Sequence, residues 1–219
     1  MAVVDFTELR EQMVRQQIEE RGIRDPAILD AFRAVPREAF VSDDHRQWAY
    51  DDHPLPIEAG QTISQPYIVA VMIEAAEIGR GDAVLEIGAG SGYAAAVIGQ
   101  IADSVIGIER HAELARIAAK RMVALGYSNV RIVEGDGTRG CREEAPFDAI
   151  LAAASGSHVP ERLLAQLAPG GRLVMPVGDP ASVQHLLKVT KAEDGRIERQ
   201  DLGAVRFVPL IGEEGWKDA

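Results

Sequence analysis

The residues VLEIGAGSGY (Val84–Tyr93) place a glycine-rich loop directly after a short apolar run. Such a run is typical of a buried strand, and glycines let the backbone turn sharply and let a ligand approach the main chain. A helix that begins near Gly92 would point its unpaired N–H groups at that ligand. The stretch therefore predicts a strand–loop–helix unit with a binding site at the carboxyl end of the strand. A tight turn without a ligand is the alternative, although a simple turn rarely needs three glycines in five residues.

Short apolar runs alternate with helical segments from Ala83 onward, which predicts a doubly wound, mostly parallel α/β sheet of the Rossmann-like kind. The predicted strands are Ala83–Ile87, Ser104–Glu109, Val130–Val133, Asp148–Ala152 and Arg172–Pro176, and the predicted helices are Gly92–Gln100, Ala112–Leu125 and Pro160–Leu167. Pro169–Gly171 is expected to form a turn before the fifth strand. The last forty residues lose the helical period and predict an antiparallel hairpin at the sheet edge.

Residues 7–21 have helical spacing of apolar side chains, and Asp25 followed by Pro26 is typical of the start of a second helix. Residues 42–60 form an irregular stretch that is long for a loop, so it is either functional or holds short structure, and Pro66–Ile78 is predicted to be a further helix. We expect one domain over residues 1–219. Residues 1–80 would form a helical and loop region that covers the active site, 81–178 the cofactor-binding core, and 179–219 the hairpin and a tail in which Trp216 is poorly ordered.

The net charge of −11 argues against a general basic surface for nucleic acid. Cys141 is the only cysteine, so the chain can form no internal disulfide and no cysteine-rich metal site. The acidic start lacks the apolar core of a secretory signal, and no stretch approaches eighteen apolar residues, so we expect a cytoplasmic protein without a membrane span. His45, His53, His111 and His185 have no metal-ligand spacing and are interpreted as surface or loop residues.

Three acids surround the glycine loop. Glu109 would end the second strand and could accept both hydroxyls of a ribose. Glu86, inside the end of the first strand, would repel a pyrophosphate but suits a cation. Asp136 follows the third strand, where it could meet an adenine amino group or only shape a turn. These features favour S-adenosylmethionine over NAD, and the spacing G-x-G-x-G also departs from the dinucleotide pattern.

Several segments together resemble the protein-L-isoaspartate O-methyltransferases, in unbroken order from residue 9 to about 211. They are AVPREAFV (34–41), GQTISQPYIVA (60–70), VLEIGAGSGY, EGDG (134–137), APFDAI (145–150), GGRLVMPVG (170–178) and VRFVPL (205–210). The glycine loop is shared with many methyltransferases, whereas QTISQP and RFVPL are particular to this family. The resemblance implies an S-adenosylmethionine-dependent methyltransferase of the Rossmann-like class I fold.

The resemblance also implies the activity and the site. The enzyme would transfer a methyl group to the carboxylate of L-isoaspartyl residues in damaged proteins and peptides, release S-adenosylhomocysteine and act as a monomer. Ser64 would be the catalytic residue, although a helix N-cap is the competing interpretation of its position. The cofactor-binding set is Thr62, Ile63, Ser64, Tyr67, Glu86, Gly88, Ala89, Gly90, Gly92, Glu109, Arg110, Asp136 and Gly137, and the substrate-binding set is Gln61, Ile63, Val205, Arg206 and Phe207, with no metal.

The loop AAASGSHVP (Ala152–Pro160) departs from the family, which has an alanine followed by prolines there. This difference leaves open a methyltransferase that acts on another peptide or on a small molecule. A cofactor-binding scaffold without catalysis and a nicotinamide enzyme are further alternatives. Ser155 and His158 form no hydrolase motif, because the chain lacks G-x-S-x-G, and both are interpreted as plain loop residues.

Overall fold

The computed structural model describes residues 4–217, so the outermost residues of the predicted domain, 1–3 and 218–219, lie outside it. Seven strands form the main sheet and two short ones pair separately. The strands are β1 (Leu55–Pro56), β2 (Thr62–Ile63), β3 (Ala83–Ile87), β4 (Ser104–Glu109), β5 (Val130–Glu134), β6 (Phe147–Ala152), β7 (Leu167–Val177), β8 (Gln184–Lys191) and β9 (Ile197–Val205).

The order of the main sheet is β5-β4-β3-β6-β7-β8-β9. β3 pairs in parallel with β4 on one side and with β6 on the other, whereas β8 and β9 are antiparallel. The chain therefore runs outward from β3 to β5 and returns to β6, so the strand order reverses between β3 and β6. Ligands of open α/β sheets bind at the carboxyl ends of the strands at such a point. The predicted sheet, with its antiparallel edge, is confirmed.

Six α-helices lie in the described chain: α1 (Phe6–Met13), α2 (Pro26–Ala34), α3 (Pro66–Ala75), α4 (Tyr93–Gly99), α5 (Ala112–Leu125) and α6 (Glu161–Ala165). α1 begins at Asp5, whose carboxylate accepts the N–H groups of Thr7 and Glu8. It continues as a π-helical segment, Val14–Glu19, before Gly22 turns the chain at a φ of 109°. α2 begins as predicted, with Asp25 as its cap and Pro26 in its first turn.

Alternating residues of the central strands face two apolar cores. Val84 and Leu151 face a core shared with the N-terminal helices and with α4 and α5. Leu85 and Ile150 face the opposite side, where Leu163 of α6 packs. A parallel strand buried on both faces reads as a continuous apolar run, which explains why β3 was recognisable in the sequence.

The structure corrects several predicted boundaries. β7 begins at Leu167, earlier than predicted, and its bounds include Pro169–Gly171. These residues have no partner on β6, which pairs with Leu167 and then with Arg172, and a side chain at Gly171 would come 2.8 Å from the Ala168 carbonyl oxygen. Residues 42–60 hold short structure, as one of the two expected alternatives had it: β1 and the 3-10 helices Asp43–Trp48 and Glu58–Gly60. No helix within residues 4–217 is long and apolar enough to cross a bilayer.

Candidate active site

A cavity of about 1040 Å³ opens at the carboxyl ends of β3 and β4. It brings together most of the site residues that the sequence predicts. Those that line it are Gln61, Thr62, Ile63, Ser64, Glu86, Gly88, Ala89, Gly90, Glu109, Arg110, Gly137, Val205, Arg206 and Phe207. Three others, Tyr67, Gly92 and Asp136, lie outside its lining. Residues 4–217 contain no group of three or more His, Cys, Asp or Glu side chains arranged to hold a metal ion.

The glycine loop turns through backbone conformations that favour glycine. Gly88 and Gly90 have φ angles of 79° and 55°, in the left-handed region. The N–H groups of Gly88 and Ala89 both donate to the carbonyl oxygen of Ile108 in β4, at 2.8 and 3.1 Å. These bonds hold the loop against the neighbouring strand and leave its bare main chain along the cavity wall.

Glu109 ends β4 and is 5% exposed. One of its carboxylate oxygens accepts the N–H of Gly90 at 2.9 Å, and the other accepts the N–H of His111 at 2.9 Å. A carboxylate oxygen can accept more than one hydrogen bond. Glu109 is thus held in one orientation by two backbone donors while both oxygens keep acceptor capacity for a pair of hydroxyl groups.

Glu86 is 2% exposed and also lines the cavity. Its Oε2 atom has no hydrogen-bond partner in the described part of the chain. Burial raises the pKa of Glu86 well above its usual range, the nearby Glu109 carboxylate raises it further, and the backbone N–H of Ala95 opposes both. An unpaired acceptor at the cavity wall fits a positively charged group such as an ammonium, which would pair it and favour its ionised form.

Asp136 shapes a turn, which is the second of the two roles that the sequence left open, and it does not line the cavity. Its Oδ1 accepts the N–H and the hydroxyl of Thr138 at 2.9 and 2.7 Å, and its Oδ2 accepts the N–H of Glu213 at 2.8 Å. Burial opposes ionisation, but the bonds from Thr138 and Glu213 lower the pKa of Asp136. The side chain therefore ties this turn to the C-terminal segment, and the neighbouring Gly137 is the residue that lines the cavity.

Gly92 and Tyr67 both lie outside the cavity. Gly92 precedes α4 at a φ of 85°, and a side chain there would lie 2.8 Å from the Met122 Cε atom of α5. The aromatic ring of Tyr67 stacks under the guanidinium of Arg21, at 3.5 Å from its centroid. Gly92 thus allows the loop to pack closely on α5, and Tyr67 lies on a different surface of α3.

Ser64 lies between β2 and α3 and lines the cavity. The N-cap of α3 is Gln65, which makes no side-chain capping bond, so the N-cap interpretation of Ser64 is wrong. β2 is held in place by antiparallel pairing with β1, in which Leu55 lies opposite Ile63. The main-chain oxygen of Ser64 accepts a 2.8 Å hydrogen bond from the buried Arg37 guanidinium.

The segment after β9 carries Val205, Arg206 and Phe207 along the cavity. The side chain of Gln184, which is fully buried, accepts the N–H of Phe207 and donates to its carbonyl oxygen, at 2.7 and 3.0 Å. Ser155 donates its N–H to Val208 and accepts the N–H of Leu210, both at 2.8 Å. Two polar residues from elsewhere in the chain therefore fix the path of this segment.

Four of these residues escaped the sequence interpretation. Ser155 is not a plain loop residue, because it anchors the segment after β9. His111 lies in the loop between β4 and α5, as expected, but it also lines the cavity. Gln184 and Arg37 had no assigned role. Ser155, Gln184 and Arg37 belong to no local motif for their tasks, since each bonds to residues distant in the chain. Burial would have marked these residues as important, but a sequence gives no direct signal that a polar residue is buried.

Trp216 also departs from the prediction. Its indole N–H donates to the carbonyl oxygen of Ser155 at 2.9 Å, and its main chain bonds to Leu210 and Gly212. The residue is partly buried and is not part of a loose tail. The C-terminal segment thus closes one wall beside the cavity.

The acids and the glycine main chain lie together where the strand order of the sheet reverses. Glu109, at the end of β4, has both carboxylate oxygens fixed by backbone donors, and Glu86, at the end of β3, has one unpaired carboxyl oxygen. This arrangement fits a nucleoside whose ribose lies at Glu109 and whose positive end lies near Glu86. The fold and the cavity together define a Rossmann-like methyltransferase that depends on S-adenosylmethionine.

Comparison with known proteins identifies the family. The model of the protein-L-isoaspartate (D-aspartate) O-methyltransferase family matches residues 8–215. Protein-L-isoaspartate O-methyltransferase 1 of Rhodopseudomonas palustris is 57% identical over 211 residues, which are 96% of this chain and 86% of that protein. Protein-L-isoaspartate O-methyltransferase 2 of Pelobacter propionicus is 56% identical over 207 residues, 94% of this chain and 92% of that protein. The chain belongs to this family.

Solved structures agree with this membership. A protein-L-isoaspartate O-methyltransferase superposes with a TM-score of 0.86 at 30% identity, over 94% of this chain and 67% of that one. A Plasmodium falciparum structure described as a protein-L-isoaspartate O-methyltransferase in complex with S-adenosyl-L-homocysteine gives a TM-score of 0.79 at 26% identity, over 92% of this chain and 98% of that one.

Proposed function

We propose that this chain transfers a methyl group from S-adenosylmethionine to the free carboxylate of L-isoaspartyl residues in damaged proteins and peptides, with Ser64 as the catalytic residue. One observation carries the proposal: the acid-lined crevice at β3 and β4, the segment around Ser64 and the segment after β9 all line a single cavity. A donor site and an acceptor site that share one cavity can hold both reactants in contact.

The donor is assigned to the crevice residue by residue. Glu109 accepts the ribose hydroxyls, Glu86 faces the ammonium group, and Gly88–Gly90 allow close approach of the main chain. The family resemblance implies the remaining contacts, which are made by Thr62, Ile63, Arg110 and Gly137. Gly92 and Asp136 support this site through the loops that they shape, because they do not line the cavity. Tyr67 lies on another surface of α3, and we assign it no contact with the cofactor.

The acceptor needs little chemical activation. A carboxylate of aspartyl type has a usual pKa near 3.9 and is ionised at neutral pH, so no general base is required. When bound, S-adenosylmethionine supplies a methyl group on a positively charged sulfur. The protein's task is to align the two reactants, which can contribute roughly 7–11 kcal/mol. We assign the Ser64 hydroxyl to donate to the acceptor carboxylate, with Gln61 and Ile63 beside it.

The peptide on either side of the isoaspartate is assigned to Val205–Phe207. Recognition through main-chain hydrogen bonds suits a repair enzyme, because the side chains that flank a damaged residue differ between substrates. The buried amide of Gln184 occupies both polar main-chain groups of Phe207 and so fixes the path of this short segment. The main-chain bonds to the peptide are therefore assigned to the residues that precede Phe207.

We further propose that the protein works as a monomer in the cytoplasm and without nucleic acid. Large exposed apolar residues lie in separate parts of the chain: Trp48 ends a 3-10 helix, Val123 lies in α5, and Val183 precedes β8. Scattered apolar residues of this kind do not form an obvious oligomer interface. The mass in solution, measured by light scattering, tests the oligomeric state; a stable dimer at micromolar concentration would contradict it.

Paired peptides that differ only in an aspartyl or isoaspartyl linkage test the activity. We expect methyl transfer to the isoaspartyl peptide and little to its partner; equal transfer to both, or none to either, would reject the repair assignment. Calorimetry with S-adenosylhomocysteine and with NAD separates this enzyme from a nicotinamide enzyme. Cofactor binding without transfer to any carboxylate peptide would leave only a binding scaffold.

A further inference from the structure

Arg37 is the largest fully buried side chain of the chain's described part, and it lies directly behind the proposed acceptor site. It begins the 3-10 helix Arg37–Phe40. Its Nε donates to the carbonyl oxygen of Ala49 at 2.7 Å, and its Nη2 donates to the carbonyl oxygen of Ser64 at 2.8 Å. Both partners are main-chain oxygens and not carboxylates.

The same guanidinium also meets the donor side of the cavity. Its Cζ atom lies 4.8 Å from the ring centroid of Tyr93, the first residue of α4 after the glycine loop. Two buried polar atoms at this contact, Nη1 of Arg37 and the hydroxyl of Tyr93, have no hydrogen-bond partner within the described residues. Burial raises the pKa of Tyr93 to about 12, against the opposing charge of Arg37, so the hydroxyl stays neutral at working pH.

A purely structural role is a poor explanation of this arrangement. Burial of a guanidinium without a carboxylate is costly, and apolar residues of similar volume often replace buried charges without loss of stability. What an apolar residue cannot do is bind the Ser64 carbonyl or place a positive charge beside the cavity. That charge is notable in a chain of net charge −11 whose cavity is lined by Glu86 and Glu109.

We propose that Arg37 is a positioning residue for methyl transfer, whose buried guanidinium fixes the main chain at Ser64 and offsets the negative potential that an acceptor carboxylate meets. This inference rests on the proposed role of Ser64. Because Tyr93 and Ser64 both line the cavity and both contact Arg37, the one side chain couples the donor wall to the acceptor wall.

Two substitutions and one matched control test the proposal. Arg37→Met removes the charge and the hydrogen bonds but keeps an unbranched apolar side chain, and Arg37→Lys restores the charge with a different donor geometry. Val41→Ala is the control, because Val41 is buried just after the same 3-10 helix and does not line the cavity. For each variant, kcat and KM are measured with an isoaspartyl peptide at saturating cofactor, together with S-adenosylhomocysteine affinity and the melting temperature.

In Arg37→Met we expect kcat to fall about 10- to 100-fold, the range that a small misplacement of reacting groups produces, with a raised KM for the peptide. Arg37→Lys should recover most of KM but not of kcat. S-adenosylhomocysteine affinity should stay within about three-fold of wild type. A wild-type kcat in Arg37→Met, a loss no larger than in Val41→Ala at equal melting temperature, or an equal loss of cofactor affinity would each overturn the proposal.

Ser64→Ala, measured alongside, separates this inference from the function on which it rests. If Ser64→Ala loses transfer and Arg37→Met keeps it, only the inference fails. If Ser64→Ala transfers at the wild-type rate, the role of Ser64 fails and the inference fails with it.

A measurement on the wild-type chain decides the case if neither Arg37 variant folds. The Nε–H signal of Arg37 in a ¹⁵N spectrum should be protected from solvent exchange and should shift when the isoaspartyl peptide binds the complex with S-adenosylhomocysteine. A signal that the peptide leaves unmoved would overturn the proposal.

Discussion

The indole N–H of Trp216 donates a 2.9 Å hydrogen bond to the carbonyl oxygen of Ser155, which also accepts the N–H of Leu210. One residue of the loop after β6 thus joins the C-terminal segment to the segment that borders the cavity. The loop is also the part of the chain that departs from the family's proline pattern. The loop contacts the segment after β9 and the C-terminal tail, so the residues that replace the prolines have a structural role in this chain.

Trp216→Phe should lower the free energy of unfolding by about 0.5–1.5 kcal/mol, because it removes the donor of this bond while keeping an aromatic ring. Denaturant unfolding measures the change. Trp48→Phe is the control, since Trp48 is 43% exposed and should cost little. An unfolding curve of Trp216→Phe identical to wild type would mean that the bond contributes nothing net.

Glu109→Ala should weaken S-adenosylhomocysteine binding by about 1–3 kcal/mol, because the ribose hydroxyls and the N–H groups of Gly90 and His111 lose their acceptor. Calorimetry measures the affinity. Glu113→Ala, on the exposed first turn of α5, is the matched control and should bind as wild type does. Unchanged affinity in Glu109→Ala would place the ribose elsewhere.

Glu86→Gln should change how stability depends on pH. The pKa of Glu86 in the folded protein lies well above 4.5, its usual value, so the protonated form is the one that the fold favours. That contribution is complete below the unfolded pKa and is lost as pH rises through the folded pKa. A neutral glutamine does not titrate, so the variant should gain stability relative to wild type as pH rises from about 5 to 8.

Thermal unfolding across that range in the absence of cofactor measures the difference between the two proteins. Glu143→Gln, at an exposed position, should track wild type throughout. A difference between Glu86→Gln and wild type that does not vary with pH would contradict the expectation.

Gly90→Val should lower cofactor affinity at least about ten-fold, because a branched side chain at a φ of 55° strains the loop and occupies the cavity wall. Gly195→Val is the matched control. Gly195 also has a positive φ, 83°, but lies in the turn between β8 and β9 with open space around it. It should therefore lose stability without losing cofactor affinity, and tight binding by Gly90→Val would argue against close approach of the main chain.

The parts of the fold that the sequence predicted well are those that neighbouring residues decide. β3, the glycine loop and the start of α4 lie within eleven consecutive residues, and the prediction of a strand, a loop and a helix there is confirmed. The predicted cap at Asp25 bonds to Ala27, two positions away. The start of β7 was missed because Leu167, which precedes the unpaired residues Pro169–Gly171, pairs with Phe147 of β6.

The candidate site residues also divide into those that neighbouring residues place and those that distant contacts place. Glu86 and Glu109 could be placed because a strand end in a parallel sheet fixes where its last side chains point. Asp136 had the same kind of position, yet its carboxylate bonds to the N–H of Glu213, seventy-seven residues further on. Nothing near Asp136 in the chain indicates that partner.

The sequence by itself determined the order of strands and helices, the glycine loop and the two acids at the strand ends. The spacing of apolar residues, the conformational freedom of glycine and the direction of a strand each depend on only a few neighbouring residues. Only the tertiary structure decided that Arg37 reaches Ser64, that Gln184 holds Phe207, and that the tail binds Ser155. These bonds join residues far apart in the chain, and which buried donor meets which acceptor depends on how the elements pack.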